Sequence, residues 1–165
     1  LSGETFIIQL NPDGSFDRTF STNDYNGIAA KVNALDEARR NQWPIKVEDM
    51  ENYSPELRQL CDELAEGFGA EVCAHLFIGF EGKGSFGWHT DEGVVACYVL
   101  AGEKFMETTY GNHILKKGDW LIMPDGLPHR ATNMSDTVML SFGTGSVKPA
   151  LKETTMWATS PYILE

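Results

Sequence analysis

The sequence predicts a mainly β protein with a layer of helices ahead of its strands. From residue 71 onward, short apolar runs alternate with turn residues, the pattern of a β-sandwich or barrel. Between residues 21 and 69 the apolar spacing changes to steps of three and four, which marks helices. The chain has 165 residues, enough for one domain with one core, and no repeat, low-complexity segment or linker divides it. The expected layout is a single domain over 1–165, with a helical layer at about 21–69 and a barrel core at about 71–145.

Taken in order, Glu4 to Leu10 carries the apolar run TFIIQL and ends at Asn11-Pro12-Asp13-Gly14, a strand followed by a turn. Tyr25, Ile28, Ala29, Val32, Leu35 and Ala38 then fall on one face of a helix. Ser21 to Asp24 offer its N-cap, and Arg39-Arg40 suit its C-terminus. A second helix begins at Ser54-Pro55, buries Leu57, Leu60, Cys61, Leu64 and Phe68, and ends at Gly67 to Gly69. Its acidic residues Asp62, Glu63 and Glu66 read as a solvated face. Strands follow at 72–80, at 94–100, in EKFMETTY, around His113-Ile114-Leu115, in WLIMP and in TVMLSF. The tail holds Met156, Trp157, Tyr162, Ile163 and Leu164, apolar enough to dock on the body or on a second subunit.

Charge and cysteine usage narrow the function classes. The formal net charge is -11, so the field of the whole molecule repels phosphate backbones, and nucleic acid is not an expected partner. A basic protein or a small molecule suits that field better. No apolar run approaches the roughly 20 residues of a membrane span. Cys61, Cys73 and Cys97 form no CxxC pair, and their odd count disfavours a disulfide framework, which points to a reducing cytoplasm. No secretory signal is visible, and a start at Leu1 rather than Met leaves room for an upstream piece.

The chemistry concentrates between Trp88 and Asn133. Two histidines and one carboxylate are the donor set of a non-haem iron(II) site with open positions. His89 and Asp91 are two apart, so on a strand they share a face and converge inside a barrel. A buried ionised aspartate needs an offsetting charge, which a divalent cation supplies. His129, just after a turn set by Pro124, Gly126 and Pro128, is the expected third ligand.

Gly118, Pro124, Gly126, His129 and Asn133 match the second motif of the cupin superfamily, G-x5-P-x-G-x2-H-x3-N, at every specified position. YVLAGE at 98–103 also resembles a cupin strand and turn. In the first motif Asp91 stands where a second histidine is usual, and Val95 takes the place of a glutamate. That replacement resembles the jumonji-type (JmjC-like) branch, the 2-oxoglutarate-dependent oxygenases, whose pattern H-x-D-x10-G-x-K/R reads as His89, Asp91, Gly102 and Lys104. The resemblance covers about residues 74–143. It implies a double-stranded β-helix, the jelly-roll barrel, with the N-terminal helices packed on it. It also implies that His89, Asp91 and His129 hold iron(II), that 2-oxoglutarate is the co-substrate, and that Lys104 pairs with its far carboxylate. A lysine pointing into a barrel otherwise lacks an anionic partner. The family places a hydroxyl three residues before the first histidine and an asparagine six after it. Phe86 and Val95 occupy those places, and Ser85, one residue away, supplies a hydroxyl.

The expected activity is hydroxylation of a polypeptide side chain or a small molecule. The rivals are another metal cupin, either an isomerase or a dioxygenase needing no co-substrate, and a non-catalytic binding module. A homodimer is the assembly that the apolar tail and the family habit suggest. Other candidates are read as structural. His113 sits beside a turn, and His75 is read as outside the site. Trp88, Phe86, Tyr98 and Trp120 read as core, Cys97 as a small apolar residue, and Asp119 as part of a turn. The glycines of EGKGSFG lack the strand-to-helix context of a phosphate loop.

Overall fold

The computed structural model describes residues 4–145 and the backbone of a strand at 157–159. The strands are β1 (Thr5–Leu10), β2 (Phe16–Ser21), β3 (Ile45–Val47), β4 (Cys73–Gly79), β5 (Val95–Ala101), β6 (Glu103–Thr108), β7 (Gly111–Lys116), β8 (Trp120–Met123), β9 (His129–Asn133), β10 (Thr137–Gly143) and β11 (Trp157–Thr159). The helices are α1 (Ile28–Arg40) and α2 (Pro55–Phe68). One sheet runs β11-β8-β5-β10-β4-β3-β1-β2 and the other β7-β6-β9. They pack as a jelly-roll β-sandwich, as expected.

The strands that carry the site are buried on both faces, with a different task for each parity. Even positions such as Ala74, Ala96, Tyr98, Leu140 and Phe142 pack with Cys61 and Phe68 of α2. Odd positions such as Cys97, Val99 and Met139 turn to the small sheet and meet Met106 and Leu115. This is the period-two rule applied to a sheet covered on both sides. β6 obeys it too, with Lys104, Met106 and Thr108 buried at alternate positions.

α2 starts and stops where expected. The Ser54 hydroxyl accepts from the Leu57 N–H at 3.2 Å, Pro55 takes the first position, and Gly69 closes the helix at φ 70°. α1 departs from expectation. It begins at Ile28 rather than near residue 21, because Ser21 caps a separate one-turn helix at Thr22–Asp24. Ile28 and Val32 are 81% and 56% exposed, so they are not its buried face. Leu35 and Ala38 of the expected face do dock, joined by Ala34, against Ile7, with Trp43 and Ile45 alongside. Small alanines in its second half allow the close approach to β1.

β2 and β3 were not expected, and the N-terminal stretch is not purely a helical layer. β1, β2 and β3 extend the large sheet, β3 bridging β1 to β4. β2 is an exposed edge strand with little apolar patterning, and β3 has three residues. β11 pairs antiparallel with β8, so part of the tail adds a strand to the body; Met156, Tyr162, Ile163 and Leu164 lie outside the described residues. Among the described residues no helix is long and apolar enough to cross a membrane, and the three cysteines are free.

Candidate metal centre

His89, Asp91 and His129 come together as expected, with donor atoms all within 4.8 Å of one another. His129 Nε2 lies 3.2 Å from Asp91 Oδ2, and His89 Nε2 lies 3.8 Å from Oδ1. The route differs from expectation. Asp91 is not on a strand, and its side chain is 43% exposed rather than buried. Its position comes from the 124–128 turn. The Gly126 N–H donates to the Asp91 carbonyl at 3.1 Å, and the Asp125 carboxylate accepts from the Gly93 N–H at 2.7 Å. The prolines and glycine that aim His129 therefore also hold the loop that carries Asp91.

Both histidines are set for ligation by their other nitrogen. His89 Nδ1 lies 2.8 Å from the Gly87 carbonyl, and His129 Nδ1 lies 2.9 Å from the Leu127 carbonyl. A carbonyl only accepts, so each Nδ1 carries the proton and each Nε2 of a neutral ring presents a lone pair. Two such lone pairs face a carboxylate that also only accepts. The arrangement needs a cation among them, either a proton or a metal. The donor set therefore fits a divalent ion of the iron or zinc kind. Electrostatics agree. The hydrogen bond with His129 holds the Asp91 carboxyl below its ordinary value, against burial. For His129 burial pulls downward, but the Asp91 hydrogen bond, the Leu127 carbonyl and the Asp91 charge outweigh it, and the net shift is upward.

The three donors line a compartment of about 120 Å³ that also takes in Ser85 and Lys104. Lys104 is 6% exposed, and its ammonium makes no ion pair or side-chain hydrogen bond among the described residues. Burial pushes its ammonium down to about 8. Met106, Met123, Met139 and Val95 supply an apolar wall. Asn133, the last residue of the motif, braces β9 from behind. Its side chain donates to the Lys83 carbonyl at 2.9 Å and accepts from the Thr137 hydroxyl at 2.7 Å. Gly79 is required opposite it, since a Cβ there would collide with the amide.

Several expectations are corrected around this compartment. Phe86 is not core; it lines the compartment and meets the His89 ring edge-on at 5.6 Å. Trp88 is 49% exposed, with the Arg130 guanidinium 5.2 Å from its ring centre. Tyr98 and Trp120 are core, and the Asp119 carboxylate accepts from the Lys116 N–H in a turn. Cys97 lines the compartment, with its thiol pushed up to about 12 by burial. Lys46 and Ser141 also reach it and were not anticipated; Lys46 rides on β3, too short to announce itself. His75 lines a larger neighbouring cavity that shares Asp91 with the first. A second donor group, Asp49, Glu51 and Cys73, lies nearby. There Glu51 already accepts from the Ala74 N–H at 3.0 Å, and burial with the Glu51 charge raises the Cys73 thiol to about 11, a poor ligand.

Residues 76–142 match the cupin domain. The matched segment runs from β4 to β10 and contains all three donors and Lys104. No curated protein matches the sequence. Among solved structures the chain is similar to YcfD, a ribosomal oxygenase from Escherichia coli, at 16% identity and a TM-score of 0.62, over 86% of this chain and 39% of that one. It is also similar to a salicylate 1,2-dioxygenase from Pseudoaminobacter salicylatoxidans, at 15% identity and a TM-score of 0.42, over 44% of this chain and 21% of that one. A cupin superfamily protein from Desulfitobacterium hafniense is 20% identical with a TM-score of 0.42, over 44% of this chain and 66% of that one. The chain thus spans well under half the length of either oxygenase. At these identities the likeness is one of fold.

Proposed function

We propose that the protein is an iron(II)- and 2-oxoglutarate-dependent oxygenase that hydroxylates a side chain or a small molecule. Lys104 carries this reading. A buried ammonium without a carboxylate partner opens into the same compartment as His89, Asp91 and His129. Leaving a charge so placed is unfavourable, and a dicarboxylate that reaches from the metal to Lys104 would relieve it.

In this reading Nε2 of His89, the Asp91 carboxylate and Nε2 of His129 hold iron(II). Lys104 pairs with the far carboxylate of 2-oxoglutarate, and the Ser85 hydroxyl is a second donor toward it. When bound, iron(II) and 2-oxoglutarate supply an oxidant for C–H bonds, with succinate and CO2 as co-products. The chain's part is to orient the diacid and to keep water away with the methionine wall and Phe86. The fold shared with a ribosomal oxygenase over most of the chain is compatible with such chemistry.

Adding 2-oxoglutarate to the anaerobic iron(II) protein tests this. The expected result is a visible metal-to-ligand charge-transfer band, followed in air by succinate. A protein that binds iron, shows no band and forms no succinate belongs instead with metal cupins that need no co-substrate.

A further inference from the structure

A loop, not a strand, delivers Asp91 to the triad, so no sheet ladder fixes its place. Its carboxylate meets His89 and His129 among the described residues and is 43% exposed. No side chain behind it holds its rotamer. Where that carboxylate sits is therefore inherited from the backbone of the loop.

The loop is tied at three points. The Gly126 N–H donates to the Asp91 carbonyl at 3.1 Å. The Gly93 N–H donates to the Asp125 carboxylate at 2.7 Å. The Val94 N–H donates to the Thr144 hydroxyl at 3.0 Å, and the Thr144 N–H donates back to the Val94 carbonyl at 3.1 Å. The Thr144 tie lies just before β5 and sets where that strand begins. The two ties nearer Asp91 both come from the turn that leads into His129.

Of these ties the one from Asp125 is the shortest, and its acceptor is charged. Such a bond is roughly twice as strong as a neutral one. Gly93 is also confined from the other side. It has φ 79°, and a Cβ there would run into the Gly145 carbonyl oxygen and the Thr144 hydroxyl. The loop is thus held between residues 144–145 and the Asp125 carboxylate, two residues along the chain from Asp91.

We propose that Asp125 is a positioning residue of the metal centre. By gripping Gly93 it keeps Asp91 within reach of the ion that His89 and His129 share, and so sets metal affinity and coordination geometry. The inference rests on the metal-binding part of the function proposed above and is independent of 2-oxoglutarate.

The test is cobalt(II) titration of the full chain without 2-oxoglutarate, followed by the visible spectrum. Asp125→Ala should bind cobalt about 10–100-fold more weakly, the range for loss of an outer hydrogen-bond partner. At saturating cobalt its spectrum should also differ from the parent's, because Asp91 no longer ligates in the same place. Asp125→Asn keeps an acceptor oxygen in the same position and should recover most of the loss. Circular dichroism reports folding. If Asp125→Ala does not fold, Asp125→Glu carries the comparison; it keeps the charge but lengthens the arm, and the same loss and spectral change are expected. A folded Ala or Glu variant with the parent's affinity and spectrum overturns the proposal. So does weaker binding with an unchanged spectrum at saturation, which is the mark of a merely structural residue. A parent chain that binds no cobalt overturns the metal reading and this inference together.

Discussion

His89 and His129 are joined by their backbones before any metal arrives. The N–H of each donates to the carbonyl of the other, at 3.0 and 2.9 Å, in an antiparallel bridge that sets the two rings 4.3 Å apart. Main-chain bonds therefore hold two of the three donors in place, and changing a side chain leaves that frame intact.

His129→Ala and Asp91→Asn should each fold and each lose the metal. Loss of a ligand should lower cobalt(II) affinity by more than the roughly 10–100-fold that follows loss of an outer hydrogen bond. Competition against a metal-binding dye, with circular dichroism as the fold control, measures this. Unchanged affinity in either variant would remove that residue from the site.

Metal binding should weaken as the pH falls, beginning above the ordinary histidine range near ~6.5. The raised pKa of His129 means that a proton competes for Nε2 earlier than usual. The stability of the metal-free protein follows from the same shifts. His129, with its raised value, contributes fully below its unfolded pKa and loses that contribution as the pH rises through the folded one. Asp91, with its lowered value, contributes above its unfolded pKa and loses that contribution as the pH falls through the folded one. Melting temperature should thus decline on raising the pH past the His129 titration, and saturating cobalt(II) should abolish the decline. Parallel profiles with and without metal would contradict this.

Lys104→Met should raise stability while abolishing dicarboxylate binding. Lowering a lysine from 10.5 to about 8 corresponds to a penalty on the order of 3 kcal/mol on the charged form. That penalty is fully present below the folded value and disappears as the pH rises toward the unfolded one. Methionine fills a similar volume without it. In the parent protein, 2-oxoglutarate affinity should fall above about pH 8, approaching about tenfold per pH unit. Denaturant melts and pH-dependent titration of the charge-transfer band check the two halves.

Gly102→Ala should destabilise the fold by about 1–3 kcal/mol or more. Gly102 has φ 78° and a Cβ there would run into the Asp136 carbonyl oxygen. The turn it makes joins β5 to β6 and so sets the register of Lys104. A chemical denaturation curve with an unchanged midpoint would show that the turn can yield.

Where a segment's own pattern decides its structure, the sequence was readable. α2 announces itself through Ser54, Pro55 and Gly69, and β4, β5 and β10 through runs buried on both faces. The motif spacing picked out His89, Asp91, Lys104 and His129, which line one compartment. Where a neighbour decides, it was not. β2 and β3 are strands because β1 offers them an edge. α1 has an apolar spacing that would serve either face, and its contact with β1 selected the alanines. Trp88 has a core residue's composition but sits beside Arg130 at the surface.

By itself, then, the sequence determined the class of fold, the second helix and which residues to look for at the candidate metal centre, because local periodicity and fixed spacing encode those. Only the tertiary structure decided how Asp91 is held, through a turn from a distant segment, and that Lys46 joins the compartment. It alone showed a larger cavity beside the triad. Convergence of side chains from separate strands depends on pairing between elements, and no stretch of sequence contains that information alone.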